Sequence, residues 1–192
     1  MTIGVLGGSF CPPTIAHVEL SRMCIDQGIC DEVVWVPVNN AYRKNTNIAA
    51  KHRCEMVRLT LQDENKITCS LHEQNHKDII RTYESLQELQ KLRPDDRLLF
   101  IAGADKLNFK WIQREAFVRD FGLILTNRGD IDCEAVISAS KTLSQYRNNI
   151  YVINYESTVS STEAREELAE NRTTALVKPA VLQYILEQNL FR

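Results

Sequence analysis

Short apolar runs alternate along the whole chain with longer segments of helical periodicity, and this alternation constrains the fold more than any other feature. Several of the runs are nearly continuous in Val, Ile, Leu and Phe, as expected of strands covered on both faces of a parallel sheet. The pattern therefore predicts a doubly wound, mostly parallel α/β sheet with right-handed crossovers and two C-terminal helices. The predicted strands cover residues 2–6, 32–36, 66–70, 97–102, 121–126 and 149–153. The predicted helices cover residues 14–27, 49–64, 78–92, 112–119, 133–146, 161–170 and 179–188.

The length and charge of the chain exclude several classes of protein. A chain of 192 residues is expected to form one domain over residues 1–192. Its 23 Lys and Arg against 25 Asp and Glu lack the basic excess of a nucleic-acid-binding protein. No apolar stretch approaches the ~20 residues of a membrane span, and the N-terminus lacks the features of a signal peptide. We therefore expect a soluble cytoplasmic protein with no nucleic-acid or membrane partner.

The six cysteines do not predict a metal site or a disulfide framework. No pair has CxxC spacing, and no nearby pair of histidines completes a zinc pattern. Most of the cysteines are therefore expected to be reduced, small, buried apolar residues. Cys11 is treated differently, because it stands beside a helix start that favours anions. We hypothesise that its pKa is lowered and that it reacts readily with thiol reagents.

The turn after the first strand carries residues well suited to binding an anion. Gly7 and Gly8 let backbone N–H groups approach a phosphate, and Thr14 can cap the helix that follows. Thr14 and His17 are three residues apart, so both project from one face of the first helical turn. Neither GxGxxG nor GxxxxGK[ST] occurs, so neither a dinucleotide Rossmann site nor a P-loop is indicated. From these residues alone, a tight glycine turn followed by a helix-capping histidine stays open as an alternative.

The segment GGSFCPPTIAH, residues 7–17, resembles the GGxFxPxHxxH signature of the nucleotidylyltransferases. Eukaryotic nicotinamide mononucleotide adenylyltransferases and phosphopantetheine adenylyltransferases have Thr in place of the first His, as at Thr14. The resemblance implies that His17 contacts the ATP phosphates, while Cys11 stands where the family usually has Asp or Asn. The other residues that it implies in ATP binding here are Gly8, Ser9, Phe10 and Thr14.

A second segment, VSSTEAR at residues 159–165, follows the last predicted strand and opens a helix. Ser160 with Glu163 fits a simple capping box. The segment also resembles the I-S-S-T-x-x-R signature of the same family, in which the helix N-terminus and the Arg hold the ATP phosphates. The resemblance implies this role for Ser160, Ser161, Thr162 and Arg165.

Four segments between the two signatures resemble the pyridine-nucleotide members of the family. They are PVNNAYRK at 37–44, TYESL at 82–86, GAD at 103–105 followed by a Trp, and TNRG at 126–129. In the family the Lys of the first segment binds phosphate, the Asp of the third takes ribose hydroxyls and the Trp stacks on the pyridine ring. A flat aromatic face suits a cationic heterocycle, although a core Trp or a solvated loop Lys would also fit the residues alone. The residues implied in mononucleotide binding are Lys44, Thr82, Ser85, Gly103, Asp105, Trp111 and Arg128.

Together these segments resemble the nicotinamide/nicotinate mononucleotide adenylyltransferases over nearly the whole chain. The resemblance implies a Rossmann-like nucleotidylyltransferase fold and an enzyme of NAD biosynthesis, which joins the mononucleotide to the AMP moiety of ATP and releases pyrophosphate. Its implied catalytic residues are His17, Lys44 and Arg165. Mg²⁺ would arrive with ATP rather than on protein ligands. The expected partners are ATP and a pyridine mononucleotide, and a homo-oligomer is left open.

Two other functions stay open at this point. Another adenylyltransferase, such as phosphopantetheine adenylyltransferase, shares the T-x-x-H form of the first signature. A catalytically weakened, nucleotide-binding regulatory module is the second, with Cys11 as its supporting feature. The sequence leaves amide and acid forms of the pyridine undecided, and Arg81 is a candidate partner for a carboxylate.

Overall fold

A computed structural model describes residues 1–42, 48–104, 114–127, 131–155 and 157–192. Six strands form one sheet in the order β3-β2-β1-β4-β5-β6, and every neighbouring pair is parallel. The predicted doubly wound α/β fold is therefore confirmed. The strands are β1 (Thr2–Gly8), β2 (Glu32–Pro37), β3 (Ile67–Cys69), β4 (Arg97–Gly103), β5 (Leu123–Thr126) and β6 (Ile150–Ile153).

Helices connect the strands and close the chain, as the periodicity predicted. They are α1 (Ile15–Asp26), α2 (Ala50–Leu61), α3 (Thr82–Leu92), α4 (Arg114–Asp120), α5 (Cys133–Ala139), α6 (Lys141–Gln145), α7 (Ser161–Asn171) and α8 (Pro179–Glu187). Short 3₁₀ turns lie at His72–Asn75 and Arg147–Asn149. In the described part of the chain, no helix is both long enough and apolar enough to cross a membrane.

Two helix predictions need correction. The single helix predicted over 133–146 is two helices, because Ser140 leaves the helical region at φ −99° and ψ 115°. The Ser140 hydroxyl accepts a hydrogen bond from the Leu143 amide and so starts α6 as an N-cap. The helix predicted from residue 78 begins at Thr82 instead, since the preceding segment forms the 3₁₀ turn and an extended connection.

The core lies on both faces of the sheet. Alternate residues of a strand point to opposite faces. In β2, Val34 and Val36 join the cluster beneath α3, α4, α5 and α6, whereas Val33 and Trp35 join the cluster beneath α1 and α2. A third cluster, which includes Met56, joins α2 to α7 and α8. Because both faces of the central strands are covered, nearly every position in them is apolar. Burial of each Val or Leu side chain stabilises the folded state by about 1.5–3 kcal/mol.

The strand order reverses between β1 and β4. The chain leaves β1 toward β2 but leaves β4 toward β5, although β1 and β4 are neighbours. The carboxyl ends of these two strands, at Gly8 and at Gly103, therefore lie side by side at the point where the strand order reverses. Ligands of open α/β sheets bind at such switch points.

Candidate active site

The loop between β1 and α1 is held down by the side chain of Phe10. This residue is 1% exposed and stacks on Trp35, with ring centroids 4.8 Å apart and planes 2° from parallel. Its φ of 46° lies in the left-handed region that a bulky residue rarely adopts. Gly8 and Ser9, which precede it, are half-buried. Phe10 therefore anchors the loop in the core, and only its backbone can serve the predicted ATP contact.

His17 is oriented by hydrogen bonds at one of its ring nitrogens. The Thr14 amide lies 3.0 Å from Nδ1, and the Thr14 hydroxyl lies 2.7 Å from the same atom. An amide N–H can only donate, so Nδ1 accepts and the proton of the neutral ring lies on Nε2. Thr14 is 1% exposed. Its side chain therefore orients His17, which is half-buried, rather than facing solvent itself.

Aromatic packing and a buried hydrogen-bond chain also position His17. The His17 ring lies 5.3 Å from Phe10 and 5.8 Å from Trp35 between ring centroids. Trp35 Nε1 donates to the Ser21 hydroxyl at 2.9 Å, which donates to the His17 carbonyl at 2.8 Å. Trp35 was not among the predicted site residues. Its position in β2 after two valines signalled only a core residue.

The start of α7 meets the same loop. Ser160 is its N-cap and accepts from the Glu163 amide at 3.1 Å, as the capping pattern predicted. Ser161 Oγ donates to the Pro12 carbonyl at 2.7 Å, and Arg165 Nη1 donates to the Cys11 carbonyl at 2.8 Å. A further bond joins Arg165 Nη2 to the exposed Thr162 hydroxyl at 3.0 Å. The N-termini of α1 and α7 are thus joined to one loop, and both present partial positive charge there.

The hypothesis of a reactive Cys11 is wrong. The residue is fully buried, and burial raises the pKa of its thiol to about 11. The charges of Arg165 and Arg53 lower that pKa, but their effect is smaller than that of burial. Its carbonyl still accepts from Arg165, so the thiol leaves the fastening of the loop intact. All six cysteines are free, in agreement with the prediction that most are reduced.

Arg53 is the second residue that sequence reasoning missed. It is 1% exposed and donates to the carbonyl oxygens of Ser9 at 2.9 Å and Val38 at 2.7 Å. It thereby connects the loop after β1 to the loop after β2. In the sequence it reads as one charged residue of an ordinary amphipathic helix, and no local signal marks it as buried.

The residues predicted to bind the mononucleotide are only partly described. Gly103 ends β4 at the point where the strand order reverses, and Thr82 is the exposed first residue of α3. Ser85 is buried, and its hydroxyl lies 2.9 Å from Nε2 of His72. Arg81, the candidate carboxylate partner, is exposed at the N-cap of α3. The remaining predicted residues, Lys44, Asp105, Trp111 and Arg128, lie outside the described residues.

The described side chains at this site are donors and cations rather than a cation-binding cage. Over the described ranges, no three His, Cys, Asp or Glu side chains cluster in a way that could hold a metal ion. His17 Nε2, Arg165 and the two helix N-termini suit phosphate oxygens. The arrangement therefore favours an anionic ligand.

Comparison with known proteins agrees with this chemistry. Residues 5–167 match the family model described as cytidylyltransferase-like. The chain belongs to the cytidylyltransferase-like family. Within that family, it is 30% identical over 196 residues to a probable nicotinate-nucleotide adenylyltransferase of Carboxydothermus hydrogenoformans, covering 99% of this chain and 98% of that protein. A probable nicotinate-nucleotide adenylyltransferase of Clostridium botulinum strain Okra is 28% identical, with 98% of each chain covered.

Solved structures of the family show the same fold. Plasmodium falciparum nicotinic acid mononucleotide adenylyltransferase complexed with NaAD superposes with a TM-score of 0.79 at 23% identity, covering 99% of this chain and 97% of that chain. The same enzyme complexed with APC gives a TM-score of 0.76, covering 99% and 96%. The predicted membership of the nicotinamide/nicotinate mononucleotide adenylyltransferases, and the predicted nucleotidyltransferase class, are confirmed.

Proposed function

We propose that this adenylyltransferase joins nicotinate mononucleotide to the AMP moiety of ATP, forming NaAD and pyrophosphate. One observation carries the proposal: Ser161 and Arg165 of α7 bind the carbonyls of the loop that leads to Thr14 and His17. Two helix N-termini converge there on one place for a polyphosphate. The names of the relatives favour the acid form of the pyridine and weigh against the phosphopantetheine alternative.

The reaction requires positioning and charge stabilisation more than acid–base chemistry. The 5′-phosphate of the mononucleotide has a second pKa of ~6, so it is mostly dianionic at neutral pH and needs no general base. One of its oxygens forms a bond to the α-phosphorus of ATP, the bond from that phosphorus to the β-phosphate oxygen breaks, and pyrophosphate leaves with the electron pair. Mg²⁺ enters with ATP as part of the substrate.

The described residues would act on charge that develops on the phosphates. His17, with Nδ1 accepting from Thr14, presents Nε2–H as a donor without changing its protonation state. Arg165 and the amides at the start of α7 would neutralise charge on the departing pyrophosphate. Lys44 keeps its proposed phosphate role, and Asp105, Trp111 and Arg128 their proposed mononucleotide roles, on the resemblance alone. The free thiols support a reducing compartment, so the cytoplasm is the proposed location.

A pyrophosphate-release assay with three acceptors tests the proposal. MgATP is combined with nicotinate mononucleotide, nicotinamide mononucleotide or 4′-phosphopantetheine, and the dinucleotide product is identified by mass spectrometry. We expect pyrophosphate and NaAD with the acid mononucleotide, at a higher kcat/KM than with the amide. Turnover with phosphopantetheine alone would reassign the enzyme within its superfamily. ATP binding without pyrophosphate release from any acceptor would favour the regulatory module.

A further inference from the structure

Arg53 is a buried cation whose described hydrogen bonds all go to main-chain carbonyl oxygens. It is the fourth residue of α2 and is 1% exposed. Nη1 donates to Ser9 at 2.9 Å, Nη2 to Val38 at 2.7 Å and Asn39 at 3.2 Å, and Nε to Ile48 at 3.3 Å. One guanidinium therefore joins the loop after β1, the loop after β2 and the chain just before α2.

Burial of this group is costly and calls for a physical reason. Arginine is almost never fully buried unless its charge is compensated, because leaving water penalises the charged form. Burial lowers the pKa of Arg53 accordingly. Arginine in proteins stays protonated even so, since its ordinary pKa lies far above neutral. The Arg53 charge is thus retained beneath the loop after β1. The planar guanidinium donates to several carbonyls that the single ammonium of a lysine could not all reach.

The hydrogen bond from Arg53 to the Ser9 carbonyl fixes the direction of the Ser9–Phe10 peptide group in the loop after β1. The Ser9–Phe10 peptide bond is trans. In a trans peptide the C=O and N–H point in opposite directions. With the Ser9 carbonyl turned toward Arg53, the Phe10 N–H points away from the guanidinium.

The conformation of Phe10 shows that this peptide needs to be held. Its φ of 46° is unfavourable for a residue with a Cβ and persists only where the surroundings enforce it. Stacking on Trp35 fixes the side chain of Phe10, and Arg53 fixes the peptide before it. A second bond, from the Val38 amide to the Gly8 carbonyl at 3.0 Å, ties the same two loops together.

We propose that Arg53 is a positioning residue for ATP, because it holds the loop after β1 in the conformation that presents backbone N–H groups to the nucleotide phosphates. The inference rests on the proposed function, since it takes the loop to be the phosphate site. Arg53 touches no substrate in this role. It acts through Ser9 and through the loop after β2.

The test compares two variants at Arg53 with two controls. Arg53→Lys keeps the charge but loses the fork, and Arg53→Met removes both. Arg172→Lys is the matched control, because Arg172 Nη1 also donates to carbonyls, those of Leu190 at 2.9 Å and Phe191 at 3.4 Å, far along the chain from the loop. Met56→Ala is the stability control, since Met56 is fully buried in the same helix and packs in the apolar cluster with α7 and α8.

Three measurements are made on each protein: the Tm, the Kd for MgATP by calorimetry, and steady-state kinetics (kcat and KM for each substrate) at a temperature below the lowest Tm. We expect Arg53→Met to lower kcat/KM for ATP by ~10²-fold and Arg53→Lys by ~10-fold, the scale of a small misplacement at a reacting centre. The Kd for MgATP should rise in parallel with the loss of kcat/KM. Both controls should keep Kd and kcat near the wild-type values.

The binding measurement separates this proposal from the proposed function. If wild-type protein binds MgATP and the Arg53 variants bind it equally well, the positioning role is overturned. Losses no greater than those of Met56→Ala at a matched Tm would overturn it as well. Failure of the wild-type protein to bind MgATP would overturn the proposed function, and this inference with it.

Discussion

The backbone amide of Thr14 donates to Nδ1 of His17 at 3.0 Å. Because the amide cannot accept, this contact fixes the neutral tautomer of the ring with its proton on Nε2. The first helical turn therefore pre-selects the donor nitrogen of His17 before any nucleotide arrives. In the proposed reaction, a ring so fixed would stabilise charge without having to exchange a proton.

His17→Ala is expected to lower kcat by at least ~10²-fold, because it removes a donor aimed at charge that develops in the transition state. Pyrophosphate release at saturating MgATP and mononucleotide measures the effect. His52→Ala is the control, since the His52 ring also has a hydrogen-bonded Nδ1, 2.9 Å from the Tyr184 hydroxyl between α2 and α8. Near-wild-type turnover in His17→Ala would contradict the assignment of this histidine.

Arg165→Lys is expected to raise KM for ATP by about 10-fold, because lysine cannot reproduce both bonds of the guanidinium, to the Cys11 carbonyl and the Thr162 hydroxyl. The free energy of unfolding should fall by only about 1 kcal/mol, the usual net value of such bonds at a half-buried site. Arg58→Lys serves as the control, since Arg58 pairs with Glu55 on the exposed face of α2. An unchanged KM for ATP would show that the bridge from α7 to the loop is dispensable.

Cys11 is expected to react slowly with iodoacetamide in the folded protein. A pKa of about 11 in place of 9.0 lowers its thiolate fraction near pH 8 about 100-fold, and burial restricts access further. Peptide mapping by mass spectrometry, with and without denaturing urea, measures the rate at this position. Labelling of folded and unfolded Cys11 at the same rate would contradict the raised pKa.

The stability of the protein is expected to depend on the protonation of His72. Burial lowers the pKa of this residue, whose ring nitrogens lie 2.9 Å from the Ser70 and Ser85 hydroxyls. As the pH falls below ~6.5, His72 is protonated in the unfolded chain before it is protonated in the folded protein. The free energy of unfolding therefore decreases between that pH and the lower pKa that His72 has in the folded state. The loss is at most about 1.4 kcal/mol for each pH unit of that window. Urea unfolding near pH 7.5 and near pH 5.5 should show a larger loss for wild type than for His72→Gln.

The other titratable groups near His72 are present in both wild type and His72→Gln. Burial raises the pKa of Glu73, so the folded protein takes up that proton first and gains stability as the pH falls through the raised pKa. The His76–Glu88 pair, at 2.8 Å, also lies nearby. These contributions cancel to first order in the difference between wild type and His72→Gln. Identical pH dependence in the two proteins would refute the role of His72.

The sheet was predictable because its central strands are buried on both faces. Val33, Val34, Trp35 and Val36 are all nearly inaccessible to solvent, and such a run has few alternatives to a covered parallel strand. The break at Ser140 was not predictable from periodicity. A serine within a helical pattern can either continue the helix or cap the next one, and tertiary packing decides between them.

The candidate site was predictable only where a motif carries it. Glycines, a capping threonine and a histidine at fixed spacing point to the loop after β1, and the serines and Arg165 point to α7. The roles of Trp35 and Arg53 depend on loops that meet only in the folded chain, because an aromatic ring in a strand or a cation in a helix has no pattern of its own. Lys44, Asp105, Trp111 and Arg128 stay predictions.

The bonds from Ser161 to Pro12 and from Arg165 to Cys11 join residues 149 and 154 positions apart in the chain. At a synthesis rate of ~5–20 residues per second, the loop after β1 and the start of α7 leave the ribosome roughly 8–30 s apart. During that interval the loop after β1 has been synthesised, but Ser161 and Arg165, which bind its carbonyls, have not. Under the proposed function, a nascent chain would therefore acquire its triphosphate site only after α7 has emerged and docked on that loop.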